Sequence, residues 1–265
     1  MGATVPRQSE PSLWSDQTRC PCGLSDHIAP NIRVLFVGIN PGLRSALLGH
    51  HFAGHSNRFW KVLYASGLVP EPLTYRDDWR LPAFGLGLTN MVARPTAGIR
   101  ELTAQEYEAG RTQLLTTIAR YQPSVVAVLG LSLATILLGT GRISTRRLPG
   151  LQRERLVNSS VFLLPNPSGR NAHYSLADMV KVFRDLREFL LKTVPHSTVH
   201  KGGMITASEV DPFLLFADIV QETAAAKEST LDPGRATDRT GDWFLARCLF
   251  YIRFSYRVVQ WMEDP

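Results

Sequence analysis

Short apolar runs alternate with amphipathic stretches from residue 33 to residue 190, and this alternation fixes what the middle of the chain can become. Arg33-Val-Leu-Phe-Val-Gly-Ile39 is continuous and β-branched, which predicts a strand buried on both faces. Val125-Val-Ala-Val-Leu129 and Val161-Phe-Leu-Leu164 repeat the pattern. The segments between them carry helical spacing. Asn57 can cap a helix with Phe59, Trp60, Leu63 and Tyr64 inward and Gly67 as its stop. Thr103-Ala-Gln-Glu106 is a capping box, predicting a helix to about Tyr121 with Leu114, Leu115 and Ile118 inward. Leu131 to Leu138 reads as a short helix closed by Gly139. Ser175 caps a last helix with Met179, Val182, Phe183, Leu186, Phe189 and Leu190 on one face. Buried strands alternating with helices predict an α/β fold, a three-layer α/β/α sandwich around a mostly parallel sheet.

The pattern also sets boundaries. Residues 1–28 are polar and aperiodic and read as a flexible lead-in, residues 29–194 as one domain, and residues 195–265 as an extension of unassigned role. Residues 140–155 read as a basic loop carrying Arg142, Arg146, Arg147, Arg153 and Arg155. The opening stretch lacks the apolar core of a secretory signal. Trp243 to Met262 is apolar and aromatic, but Arg247, Arg253 and Arg257 make a membrane span costly. The expected setting is therefore cytoplasmic, with no membrane partner.

Composition narrows the classes further. With 44% apolar and 20% charged residues the chain can bury a core without staples. The cysteines, Cys20, Cys22 and Cys248, are too few for a disulfide framework, and Cys20-Pro-Cys22 is too tight for a four-ligand zinc site. The net charge of +6 suits a polyanionic partner without identifying one.

Two of the three strands end alike, in Asn40-Pro41 and Asn166-Pro167. In open parallel sheets ligands bind beyond the carboxyl ends of the strands, so both turns are expected to face one crevice. An asparagine amide does not titrate, but it can hold a water by its oxygen or pair with the edge of a base. Each turn alone is better explained by an Asn closing a tight bend; the pair together shifts the balance toward a site. Phe52, in the glycine-flanked Gly49-His-His-Phe-Ala-Gly54, is either ordinary packing or a platform for a base.

Gly38-Ile-Asn-Pro-Gly42, Asn57-Arg-Phe-Trp60, Leu88-Thr-Asn-Met-Val92 and Leu164-Pro-Asn-Pro-Ser-Gly169 occur in that order. Together they resemble the mismatch-specific uracil/thymine DNA glycosylases, a branch of the uracil-DNA glycosylase superfamily, over roughly residues 25–192. The resemblance implies a monofunctional glycosylase of base excision repair that flips uracil, thymine or ethenocytosine opposite guanine out of duplex DNA. Hydrolysis of the base–sugar bond then leaves an abasic site. Asn40 matches the catalytic asparagine that positions the attacking water, and Asn166 lies in the second motif near the sugar and leaving base. Gly42, Ser45, His51, Phe52, Asn90 and Ser168 make up the implied substrate-binding set, with Phe52 stacking on the extruded base. Ser168, Gly169 and Arg170 match the loop that enters the vacated helix. Arg170 and the Thr-Asn-Met-Val string are as in the vertebrate thymine-excising members, whereas some bacterial members carry leucine at the wedge. Arg142, Arg146 and Arg147 are either phosphate contacts or a solvated loop.

The implied chemistry needs neither metal nor cofactor, since donors aimed at the base oxygens stabilise the departing anion. The expected partner is mismatched double-stranded DNA, bound by a monomer associated with the nucleoid. Two other readings stand beside it. A nucleotide-binding α/β protein would need Gly-x-Gly-x-x-Gly after the first strand, and Gly38-Ile-Asn-Pro-Gly42 breaks that spacing. A non-catalytic binder of damaged DNA would keep Phe52 and the basic loop but cleave nothing.

Overall fold

The three apolar runs form the centre of a five-stranded sheet in the computed structural model, which describes residues 23–139 and 148–193. The strands are β1 (Val34–Gly38), β2 (Leu86–Asn90), β3 (Val125–Leu129), β4 (Gly150–Leu156) and β5 (Ser159–Leu164), in the order β2-β1-β3-β5-β4. All pairings are parallel except β4 with β5. The helices are α1 (Leu43–Leu48), α2 (Phe59–Ala65), α3 (Ala104–Tyr121), α4 (Leu131–Leu138) and α5 (Leu176–Lys192), with a 3-10 segment at Tyr75–Phe84.

β1 and β3 are apolar throughout because both faces are covered. Val34 and Phe36 of β1 join one core with Phe59 and Leu63 of α2 and Phe183 and Leu186 of α5. Leu35 and Val37 join the other core with Leu114 and Ile118 of α3 and Leu133 and Leu137 of α4. Alternate side chains of one strand thus build two layers, the three-layer sandwich expected from the sequence. Phe36 lies edge-on to Phe59 at 5.4 Å and stacked with Phe183 at 6.1 Å. Each such burial contributes roughly 1.5–3 kcal/mol.

Capping is as expected for α3 and α5, where Thr103 with Glu106 and Ser175 with Asp178 make reciprocal capping boxes. At α2 the assigned cap is Arg58, while Asn57 accepts from the Phe59 amide through its side chain. Two of the expectations need correction, and one strand carries none. Tyr64 is exposed, because α2 centres its inward face on Phe59, Val62 and Leu63, and Tyr64 lies more than a quarter-turn away. Residues 150–155 are a strand rather than a loop. β4 is an edge strand whose Arg153 and Arg155 face solvent, so it lacks the apolar run of a buried strand. β2 carries no sequence expectation, because Gly87 interrupts its run; without a Cβ it leaves room for Ile32 and Leu35, which a side chain there would meet at 2.7 and 3.2 Å. Residues 1–22, 140–147 and 194–265, including Arg142, Arg146 and Arg147, lie outside the described residues.

From β1 the chain moves outward to β2 and then returns to the opposite side at β3. Neighbouring strands therefore leave the sheet in opposite directions between β1 and β3, which opens a crevice at their carboxyl ends. Asn40 follows β1 and Asn166 follows β5, with one strand between them. That separation is about 10 Å at the usual strand spacing. Among the described residues no helix is long and apolar enough to cross a membrane.

Gly110 lets α3 approach the segment that leaves β2, since a Cβ there would sit 2.3 Å from the Met91 carbonyl oxygen. Gly110→Ala is expected to lower stability by about 1–3 kcal/mol through overpacking, despite a helix-propensity gain of about 1 kcal/mol. Urea unfolding measures the change, and equal or higher stability contradicts the close approach.

Candidate functional site

Asn40 is half-buried where β1 ends, and its amide has one orientation available. Nδ2 donates to the Arg94 carbonyl at 2.9 Å and to Thr96 Oγ1 at 2.7 Å. A carbonyl can only accept, and the one Thr96 hydroxyl proton goes to the Gly98 carbonyl at 3.0 Å. Both hydrogens of the Asn40 amide are therefore committed to the 94–98 segment, and Oδ1 is the end left for a ligand. The supporting segment is itself tied down. The Thr96 amide donates to Pro41, and Arg94 is ion-paired with Glu106 while donating to the Glu101 carbonyl. Hydrogen bonds from Arg94 first, and then from Thr103, hold the Glu106 carboxyl down at about 2.

A second cluster shapes the loop carrying Phe52. Asp78, 1% exposed, accepts from His50 Nδ1 at 3.0 Å and the His51 amide at 2.8 Å, with His27 Nε2 at 3.3 Å. Burial pushes its pKa up, but the hydrogen bonds from His27, the His51 amide and His50 outweigh this and hold it at about 2. His51 is also buried, and burial lowers its pKa, so its ring is neutral at pH 7. Its Nε2 faces the Ser25 carbonyl at 3.0 Å and must carry the proton. Nδ1 is then the acceptor facing the Asn90 amide nitrogen at 3.5 Å. Ser45 Oγ accepts the Ala53 amide at 3.0 Å. Held at both ends, Phe52 adopts φ +54°, a conformation costly for a bulky residue, and stacks on Phe59 at 4.1 Å.

The third component is the segment after β5. Asn166 Oδ1 accepts the Ser168 amide at 3.0 Å, which leaves its Nδ2 as the end with hydrogens to offer. Gly169 packs so closely on Ser56 that a Cβ would meet its backbone oxygen at 2.7 Å. Arg170 donates through one guanidinium nitrogen to the Ala97 carbonyl at 2.9 Å. The segment 94–98 is thus shared: its one end orients Asn40 and its other end receives Arg170. The two Asn-Pro turns and this segment meet at one edge of the sheet. The cavity of about 290 Å³ lined by Gln122, Pro123, Arg155 and Val157 lies at the opposite edge, away from both Asn-Pro turns.

The profile of the uracil DNA glycosylase superfamily matches residues 25–187, well over half of the chain. The chain belongs to the uracil DNA glycosylase superfamily. Members of this superfamily are DNA glycosylases, hydrolases of the base–sugar bond. Among solved structures, the chain is 17% identical to a candidate uracil DNA glycosylase from Methanosarcina acetivorans, solved by solution NMR. That likeness covers 63% of this chain and 98% of the other, with a TM-score of 0.41.

Within this superfamily member, the expected site residues fall into two groups. Asn40, Gly42, Asn166, Ser168, Gly169 and Arg170 lie in the turns at the carboxyl edge, and Asn90 ends the adjacent β2. Ser45 and His51 are buried, Ser45 bonded to the Ala53 amide and the His51 ring set between the Ser25 carbonyl and the Asn90 amide. Sequence reasoning passed over Thr96 and Arg94, which orient Asn40, and Asp78, which anchors the Phe52 loop. It quoted Arg58 within Asn57-Arg-Phe-Trp60 without assigning it a task. None of them has a local signal, since each acts on a group far away in the sequence.

Asp78 has a folded pKa below its unfolded one, so its stabilisation is present above about pH 4 and is lost as pH falls from 3.8 towards 2. Asp78→Asn turns an amide N–H toward buried donors and is expected to cost about 2–4 kcal/mol at pH 7. It should also flatten the stability profile in that acid window. Urea titrations across pH measure both, and an unchanged profile removes Asp78 from its anchoring role.

Proposed function

We propose that this chain is a mismatch-specific glycosylase that hydrolyses the base–sugar bond of uracil, and of other poorly paired pyrimidines, opposite guanine in duplex DNA. The observation that carries the reading is the fixed amide of Asn40, with both hydrogens engaged by Arg94 and Thr96 so that Oδ1 is the end free of them. That carbonyl oxygen can accept a proton of a water and aim its lone pair at C1′ of a flipped nucleotide. The bond from C1′ to the base nitrogen breaks, and the base leaves with the electron pair. Water oxygen bonds to C1′, and its proton passes to solvent. Asn166 has the opposite polarity, with Nδ2 available to donate to the departing base or the sugar. Phe52 is covered by Phe59 on one face and is half-buried, which supports stacking of a base on the other.

Asn40 cannot take the proton as a carboxylate would. General-base help is worth roughly 10² to 10⁴ in rate, so the enzyme is slow and depends on bases that leave easily. Flipping costs least where pairing is already poor, which supports a preference for mismatches, with Arg170 filling the vacated space. The reading includes action as a monomer on duplex DNA.

Single-turnover excision from a labelled G·U duplex, read as alkali-labile cleavage, tests the reading. Asn40→Ala is expected to lose about a hundredfold or more, and Asn40→Asp to retain or exceed the parent rate. Full activity in Asn40→Ala overturns the assignment. An intact strand with the unmodified protein favours a damaged-DNA binder that does not cleave. Arg170→Ala is expected to weaken duplex processing more than processing of single-stranded uracil, and equal losses on both rule out the wedge.

A further inference from the structure

We propose that Arg58 is a positioning residue that holds the segment between β5 and α5 in its working shape, an inference that rests on the glycosylase reading of that segment. Residues 165–174 contain no regular secondary structure, yet they carry both Asn166 and Arg170. Beside short local bonds among Asn166, Ser168, Arg170 and Asn171, what they have instead of a hydrogen-bonded ladder is one guanidinium. Arg58 donates to the carbonyls of Tyr174 at 2.8 Å, Ser168 at 3.2 Å and Asn171 at 2.7 Å. Its backbone amide adds the Pro167 carbonyl at 2.9 Å. A single residue thus collects four carbonyls spread over eight positions of the segment.

The same side chain leaves its Nε buried without a partner. Buried donors are nearly always satisfied. The guanidinium is therefore placed where the segment needs it rather than where its own bonding would be complete. Only a planar fork with donors on two terminal nitrogens reaches carbonyls in these separate directions; a lysine has one nitrogen at the end of its stem. Arg58 also heads α2 immediately before Phe59, the residue on which Phe52 stacks. Residues 58 and 59 therefore join the two halves of the site. One fixes the segment bearing the wedge, and the other fixes the platform for the base. Displacing reacting groups by about 1 Å can cost a factor near 10², so this joint sets how well Asn166 and Arg170 meet the flipped nucleotide.

The test uses the full chain with Arg58→Lys and Arg58→Met, the second keeping an unbranched stem without donors. Amide hydrogen exchange is expected to speed up within residues 166–174 by about tenfold or more, with β1 and β3 unchanged. Arg58→Lys should fall between the parent and Arg58→Met. Excision from a G·U duplex should fall about tenfold or more in Arg58→Met, and this loss should shrink when Arg170→Ala is already present. Unchanged exchange in 166–174, or the same loss with and without Arg170, overturns the proposal. If Arg58→Met does not fold, Arg58→Lys carries both measurements. If the parent protein itself excises nothing, the glycosylase reading fails while the exchange measurement still decides the clamp.

Discussion

The orientation of one side-chain amide governs what this site can do. Asn40 is neutral at every accessible pH, so its use lies in which end faces the crevice, and a free amide would present either. Here the answer is imposed by two acceptors, a backbone carbonyl at Arg94 and a threonine oxygen whose own proton is already spent on Gly98. Those acceptors are in turn fixed by the Arg94–Glu106 pair at the head of α3 and by the bond from the Thr96 amide to Pro41. The chain of dependence runs from a helix cap, through an exposed ion pair, to the carbonyl oxygen that can hold a water.

Around that constraint the molecule separates rigid scaffold from irregular working parts. The sheet interior is apolar on both faces and needs no polar device beyond its ladder. At the carboxyl edge the chain instead relies on polar groups: buried Asp78 beneath the Phe52 loop and half-buried Arg58 beneath the segment after β5. Phe52 at positive φ stores strain of order 1–3 kcal/mol, which the contacts of Asp78, Ser45 and Phe59 offset. Such expense is found where geometry rather than stability is required. The shared segment 94–98 links the working parts, since Asn40 and Arg170 bond to neighbouring carbonyls on it. Movement of Arg170 away from Ala97 would release a contact on the segment that holds Asn40.

What could be read from the sequence divides along the same line. The strands β1, β3 and β5, both long capped helices and the two Asn-Pro turns follow from local pattern, because apolar runs and capping boxes act over a few residues. β2 was hidden by Gly87, whose missing side chain is a packing feature rather than a strand signal. β4 was hidden by its polarity as an edge. Within the site, the asparagines were legible because strand ends in a parallel sheet converge. Ser45 and His51 were assigned to the substrate by resemblance; both are buried, Ser45 holding the Ala53 amide and His51 set between Ser25 and Asn90. Thr96, Asp78 and Arg58 were not legible as positioning groups, for they act across separations of 27 to 116 residues, which no periodicity encodes.

The central claim concerns where Oδ1 of Asn40 points when substrate is present. A crystal structure of the protein on a G·U duplex, with a 2′-fluorine on the deoxyuridine to slow loss of the base, measures this directly. The account predicts uracil extruded against Phe52 and a water bonded to Asn40 Oδ1 on the face of C1′ away from the base. It also predicts that Nδ2 remains on Arg94 and Thr96. Uracil bound elsewhere than the carboxyl edge between β1 and β5, or Nδ2 turned toward the sugar, would contradict it.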